Sequence, residues 1–210
     1  MSRLTLDCLI LAAGNSSRFG SCKLLVDFQG QSLIAATVST ARALEPAQIL
    51  IVAGAFYEEL FQAQTLRNSG SPPVELLQFH DWQAGMGCSL AFGIKHLTAD
   101  NAVLILLGDQ PLISSQNLQS LYHAWCANPE QIVCASFANT LGVPAIFPAQ
   151  FKTQLLACSG DQGAKTLLMN NKHQLISVPM ASAEFDVDTR ADLDDLLLRS
   201  AVEPFTSRLN

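Results

Sequence analysis

Arg18 and Lys23 stand in one short loop of a chain that has only 12 Lys and Arg among 210 residues. The loop, Ala12 to Lys23, follows a strand-like apolar run and contains Gly14, Asn15, Ser16, Ser17 and Gly20. Small residues let backbone N–H groups approach an anion closely, and two cations add charge, so the chemistry suggested is phosphate binding. The spacing is not that of a Walker A loop: five residues separate Gly14 from Gly20, and Lys23 comes three later. No G-x-G-x-x-G is present either, and a polar surface loop with two solvated cations is the simpler alternative.

Two acidic loops are placed to complete such a site. In "LLGDQPLI", Leu106 to Ile113, Asp109 directly follows an apolar run and Pro111 fixes the turn, which suits a carboxylate sharing Mg²⁺ with phosphate oxygens. An Asx turn or helix cap would use the same residue. In "FDVDTRADL", Phe185 to Leu193, Asp186 and Asp188 point the same way if the backbone is extended, offering a second metal ligand. A D-x-D pair also opens phosphatases with an aspartyl nucleophile, but there it ends the first strand, and here it sits near residue 190.

Two further loops carry candidate ligand groups. In "WQAGMGCSLAFGI", Trp82 to Ile94, Ser89 reads either as the nucleophile of a loosened serine-hydrolase elbow or as a helix N-cap that offers N–H and hydroxyl groups to a ligand. The glycine-containing approach favours the N-cap, and Cys88 has no adjacent His or cation to activate it. In "SGDQGAKTLL", Ser159 to Leu168, two glycines flank an acidic turn that opens a helix with Lys165 in its first turn, which serves an anion site or simply a tight helix start.

These loops need a frame. Apolar runs predict strands at Asp7–Ala12, Gln48–Ala53, Val74–Gln78, Ala102–Leu107, Ile132–Phe137, Val143–Phe147 and Leu175–Pro179. Helical periods fall at Ser32–Leu44, Tyr57–Thr65, Ser89–Leu97, Ser114–Ala127, Pro148–Leu156, Gly163–Asn170 and Thr189–Ser200, the last opened by a Thr189/Asp192 capping box. Alternating strands and helices predict an α/β fold, a mainly parallel Rossmann-like sheet with helices on both faces, whose ligands bind beyond the carboxyl ends of its strands. One domain over residues 1–210 is expected from the length, with "RNSGSPP", Arg67 to Pro73, as a surface turn.

Composition narrows the partners. Hydrophobic residues make up 49% and charged residues 14%, the balance of a well-buried globular chain. A net charge of −6 argues against a nucleic-acid backbone as partner, and the longest apolar runs fall far short of a membrane span. Met1-Ser2-Arg3 leads straight into a strand-like run without a signal-peptide layout, and six scattered cysteines suggest reduced thiols, so a cytoplasmic location is expected. Four histidines show no zinc spacing.

Taken together, the loops resemble the molybdenum cofactor cytidylyltransferase family within the MobA-like class of nucleotidyltransferases. Leu11 to Leu25 looks like its L-A-A-G-x-S-x-R-[FM]-G-x-x-K-L-L signature, and Gly108-Asp109-Gln110-Pro111 matches the metal motif in its cytidylyl form. Gly85-Met86-Gly87 with Ser89-Leu90, Gly160-Asp161 with Gly163-Ala164, and Asp186-Val187-Asp188-Thr189 follow in the family's order. Lys165 stands where Arg is common, Arg190 where Pro is usual, and Val143 replaces a polar residue of the G-[HR]-P-x-x-F segment.

The resemblance implies the nucleotidyltransferase fold of nucleotide-diphospho-sugar enzymes and transfer of CMP from CTP to the phosphate of molybdenum-bound molybdopterin, with a molybdenum hydroxylase as client. It implies that Asp109 and Asp188 hold Mg²⁺, that Arg18, Lys23 and Asp109 are catalytic, and that Leu11, Ala12, Ala13, Gly14, Gly87, Ser89 and Gly108 frame the nucleotide. Gly160, Asp161, Gly163 and Lys165 would face the acceptor, and Ala13 with Gln110 would favour cytosine. A relative acting on another phosphate acceptor and a non-catalytic cofactor chaperone are the alternatives.

Overall fold

Buried strands of continuous apolar sequence form the frame. The computed structural model describes residues 4–63 and 71–202. Among these residues the strands are β1 (Leu6–Ala12), β2 (Asp27–Phe28), β3 (Gln31–Ser32), β4 (Ile49–Ala53), β5 (Val74–Gln78), β6 (Ala102–Leu107), β7 (Ile132–Phe137), β8 (Thr140–Phe147) and β9 (Leu175–Pro179). Seven make one sheet in the order β5-β4-β1-β6-β8-β7-β9, parallel except for β8, which runs against both neighbours. Every residue of β1 and β4 is buried, as expected of parallel strands covered on both faces.

The described residues also form seven α-helices: α1 (Leu33–Arg42), α2 (Tyr57–Gln62), α3 (Met86–Ile94), α4 (Ser115–Ala127), α5 (Lys152–Leu156), α6 (Ala164–Asn170) and α7 (Arg190–Val202). Strand alternation splits β1 between two cores. Cys8, Ile10 and Ala12 pack with Ile34 and Val38 of α1 and Leu118, Leu121 and Trp125 of α4. Leu9 and Leu11 pack on the other face with Leu90 and Ile94 of α3, Leu155 of α5 and Leu168 of α6. The expected α/β sheet with helices on both faces is therefore the observed one.

Local chemistry explains the element ends. Ser32 caps α1 by accepting from the Ala35 N–H, and Ser114 and Asn117 form a capping box at α4. Thr189 and Asp192 cap α7 reciprocally: the Asp192 N–H donates to Thr189 Oγ1, and the Thr189 N–H to Asp192 Oδ2. The strand expected from Val143 begins at Thr140, because Ala138 and Asn139 both adopt positive φ and close a two-residue hairpin with β7. The β2–β3 hairpin was not legible; Gln29 and Gly30, also at positive φ, form its turn. The expected helix end at Thr65 and residues 67–70 of the expected turn lie outside the described residues.

Two features place the site. Strand order departs in opposite directions from β1, to β4 on one side and β6 on the other, which opens a crevice at their carboxyl ends. A third, small apolar cluster of Phe19, Phe28, Leu33, Val187, Leu193 and Leu196 then pins the first loop to the segment before α7. No helix among the described residues is long and apolar enough to cross a membrane.

Candidate active site

At the carboxyl ends of β1 and β6, Arg18, Lys23, Asp109 and Asp188 meet. Lys23 Nζ lies 2.6 Å from Asp109 Oδ2 and 3.0 Å from Asp188 Oδ1, and Arg18 Nη2 lies 2.7 Å from Asp188 Oδ2. Lys23 opens a 3₁₀ turn whose next residue, Leu24, enters the core. Its side chain is buried while Arg18 stands exposed. Burial pulls the Lys23 pKa down, but the charges and hydrogen bonds of Asp109 and Asp188 outweigh it and hold the ammonium above its usual range. The loop is thus an ion-paired corner, and the reading of two merely solvated cations fails for Lys23.

The two acidic loops are stitched together by backbone and side chain. The Val187 N–H donates to the Asp109 carbonyl at 2.9 Å, and Gln110 Nε2 donates to the Ala183 carbonyl at 3.0 Å. Gln110 is 6% exposed and does not border the cavity, so the expectation that it helps choose the base is corrected: its amide is directed to the Ala183 loop. The N–H groups of Asp188 and Thr189 converge on Asp192 Oδ2, fixing the backbone that carries Asp188. Of the expected Asp186/Asp188 pair, only Asp188 joins Arg18 and Lys23. The Asp186 residue is exposed, and crowding of its carboxyl by protein atoms together with the negative charges of Asp109 and Asp188 raises the pKa to about 6.

A cavity of about 390 Å³ opens beside this corner, within the range of small-molecule sites. Leu11, Ala12, Ala13, Gly14, Arg18, Lys23, Ser89, Asp109, Asp161 and Asp188 border it, together with residues to which the sequence gave no site role, Trp82, Gln83 and Met86 among them. The available signal for these three was position alone, in a glycine-containing loop at the carboxyl end of β5.

Five expected site residues do not border the cavity. Gly87 is buried with its N–H donating to the Gly160 carbonyl at 2.7 Å, and an added Cβ would sit 2.6 Å from the Gln162 carbonyl oxygen, so it is a packing glycine between loops. Gly108 packs against Leu24 and Ile34 and gives its N–H to Leu11. Gly160 supports the Gly85–Gly87 turn, Gly163 caps α6, and Lys165 is exposed on that helix.

Ser89 is not the N-cap. Gly85, with a φ of 102° that L side chains rarely adopt, starts α3 at Met86, and Ser89 lies in the first turn with its hydroxyl donating to the Gly85 carbonyl at 3.3 Å. Buried at 3% exposure and engaged in this way, it has neither the strained elbow nor the general-base partner of a serine nucleophile.

The carboxylates suit a hard divalent cation. Asp109 Oδ1 is buried and has no hydrogen-bond partner, an acceptor left over beside the carboxylate of Asp188. Among the described residues no three His, Cys, Asp or Glu side chains form a metal cage, so two carboxylates would share an ion with phosphate oxygens and water, the usual arrangement for Mg²⁺ or Mn²⁺.

The MobA-like NTP transferase domain model matches residues 8–175. Bifunctional protein GlmU of Stutzerimonas stutzeri is 38% identical over 131 residues, 61% of this chain and 27% of that protein, so the chain spans about a quarter of that relative's length. Purine catabolism protein PucB of Bacillus subtilis is 26% identical over 198 residues, 90% of this chain and 89% of PucB. Among solved structures, Rv0371c from Mycobacterium tuberculosis H37Rv superimposes with a TM-score of 0.80 at 23% identity, covering 94% of this chain and 100% of that one. The same protein in complex with manganese gives 0.74 at 22% identity, covering 92% and 98%. The structural likenesses establish the nucleotidyltransferase fold.

Proposed function

Because the chain belongs to the MobA-like NTP transferase family, we propose that it transfers CMP from CTP to the terminal phosphate of molybdenum-bound molybdopterin and releases pyrophosphate. The observation that carries this reading is the alternation of cations and carboxylates, Arg18–Asp188–Lys23–Asp109, at the rim of one cavity. Such a corner can receive a triphosphate and a divalent cation together. The acceptor phosphate oxygen attacks the α-phosphorus, the bond from that phosphorus to the bridging oxygen of the β-phosphate breaks, and pyrophosphate leaves. Arg18 and Lys23 exchange their carboxylate partners for phosphate oxygens and stabilise the charge that develops on the leaving group. A divalent ion held by Asp109 and Asp188, for which the manganese complex of Rv0371c is a precedent, would supply positive charge at the α-phosphate.

Base choice falls to Ala13, whose methyl group takes room a purine would use, and to the Trp82–Ser89 segment. The 85–87 turn and the 159–162 loop are in direct backbone contact, which supports acceptor binding beside Asp161. The serine hydrolase is disfavoured by the engaged Ser89 hydroxyl, and a non-catalytic chaperone by the intact Lys23–Asp109 pair.

Pyrophosphate release from each of the four NTPs, with Mg²⁺ or Mn²⁺ and with or without molybdopterin, tests the proposal. CTP with the molybdenum-loaded acceptor should turn over. Sites built on a base hydrogen bond discriminate by as much as about 10⁴-fold, whereas a methyl-sized clash gives roughly 10- to 200-fold, so CTP over UTP should exceed CTP over GTP. Ala13→Gly should relax only the GTP ratio. A preference of the wild type for GTP, or turnover with a different phosphate acceptor alone, would overturn the cytidylyl assignment.

A further inference from the structure

Among the described residues, Trp82 is the only aromatic side chain bordering the cavity. Its position is closely constrained. The 3₁₀ turn of Trp82–Ala84 holds it, with the Gly85 N–H donating to the Trp82 carbonyl. Gly54, buried just after β4, has no room for a side chain: an added Cβ would fall 2.5 Å from Trp82 Cβ and 2.6 Å from the Ala13 carbonyl oxygen. The indole is therefore seated directly against the backbone of β4's end and beside Ala13. It is half-buried, joined to the apolar core under α3 at its base and open to the cavity.

Resting on the nucleotidyltransferase reading, we infer that Trp82 is the stacking wall for the base of the bound nucleotide, and thus a binding residue in direct contact with substrate. The cavity lining is chemically divided. Arg18, Lys23, Asp109 and Asp188 supply the charge that fixes a triphosphate and its cation, while Ala12, Ala13 and Trp82 supply apolar surface and no charge. A triphosphate anchored at the charged corner leaves the ribose and the planar heterocycle, and of these the heterocycle has the flat apolar face that matches an indole. Aromatic stacking on a base is tolerant of base identity, so Trp82 supplies affinity while Ala13 and backbone hydrogen-bonding groups supply choice.

The chain has two tryptophans, and the other, Trp125, is 2% exposed in the core with its indole N–H donating to the Pro129 carbonyl. Both indoles emit, so the part of a ligand-induced fluorescence change that is lost in Trp82→Leu reports on the cavity through Trp82. CTP should quench the wild-type emission, while inorganic tripolyphosphate should bind, by calorimetry, without quenching. Trp82→Leu should weaken CTP about 10-fold or more, the scale of one lost base stack, and leave tripolyphosphate within about 2-fold; Trp82→Phe should recover most of the loss. Equal CTP affinity in Trp82→Leu, or an equal loss for CTP and tripolyphosphate in a variant with wild-type thermal unfolding, would overturn the inference. Binding of CTP without transfer to molybdopterin would leave Trp82 in its role and remove only the acceptor assignment. Failure of both CTP and tripolyphosphate to bind the wild type would overturn the nucleotide reading and the role of Trp82 with it.

Discussion

Lys23 and Lys152 are both buried, and they sit at opposite ends of the same sheet. Lys152 lies at the amino ends of β1 and β6, where its Nζ donates to the Thr98 carbonyl. Nearby Asp7, fully buried on β1, accepts from the Thr98 N–H at 3.1 Å with one oxygen and from Asn101 Nδ2 at 2.9 Å with the other. At the carboxyl ends, Lys23 is shared between two carboxylates, and Asp109 keeps a buried oxygen with no partner. The environments push in opposite directions. Burial lowers the Lys152 pKa despite Asp7 and Asp100, whereas at Lys23 the carboxylates overcome burial and raise it. One end uses its charges to complete the fold; the other holds charges whose present partners can be exchanged for a ligand.

The sharpest way to break this contrast is to neutralise one acid at each end. Asp109→Asn should reduce pyrophosphate release by about 10³-fold, because it removes charge that acts on the transition state, while leaving thermal unfolding near wild type. Asp188→Asn should be milder, since an amide oxygen still ligates a hard cation. Asp7→Asn should leave release within a few-fold. A larger activity loss at Asp7 than at Asp109 would reverse the assignment of the two ends.

Lys23→Met comes next, with an expected loss in kcat/KM of about 10²-fold for one fixed contact to the leaving phosphates. Without its ammonium, Asp109 loses its ion pair and Asp188 keeps only the exposed Arg18, so Mn²⁺ should raise the Tm of Lys23→Met more than that of the wild type. Equal shifts would show that the carboxylates do not bind the ion together. At the other end, Asp7→Asn should cost about 1–3 kcal/mol, since an amide cannot accept from both of its present donors. For a chain of this size that is about 2–4 °C per kcal/mol in a thermal melt, and an unchanged Tm would mean that the Asp7 cluster contributes nothing.

The smallest effect is a sign. The folded-state pKa of Lys23 lies above the ordinary 10.5, so its stabilisation is complete below 10.5 and is lost as pH rises through the raised value. That of Lys152 lies below 10.5, so the cost of its buried charge is present at neutral pH and relieved as pH climbs through the lowered value toward 10.5. Urea unfolding at mildly alkaline pH should show stability rising with pH more steeply in wild type than in Lys152→Met. The same slope in both would remove the contrast.

The sheet was legible because its central strands are buried on both faces and therefore read as unbroken apolar runs, and the caps at Ser32, Ser114 and Thr189 marked helix starts. The β2–β3 hairpin escaped because two-residue strands carry no periodicity, and α3 began early because a glycine conformation, rather than a capping side chain, set its start. Arg18, Lys23, Asp109 and Asp188 were foreseen since each follows a strand or a turn signal near the sheet's carboxyl edge. Their ion pairing was not, because residues up to 170 positions apart meet only in three dimensions. Gln110 was misplaced because sequence order gives its distance from Asp109 but not the side of the loop to which its amide turns.

The route of the chain after β9 has a consequence for how the protein is made. β9 lies at the far edge of the sheet, beyond β7 and β8, yet the following segment returns to β6, where Val187 bonds to Asp109 and Asp188 to Arg18 and Lys23. During synthesis the first loop and Asp109 emerge long before Asp188, and the α7 residues that lock Asp188 in place come later still. Closing these longest-range contacts is among the slow steps expected of such a topology. Under the proposed function, a nascent chain would carry Arg18, Lys23 and Asp109 early but would have one of the two carboxylates until α7 docks, so competence for transfer would arrive only with α7.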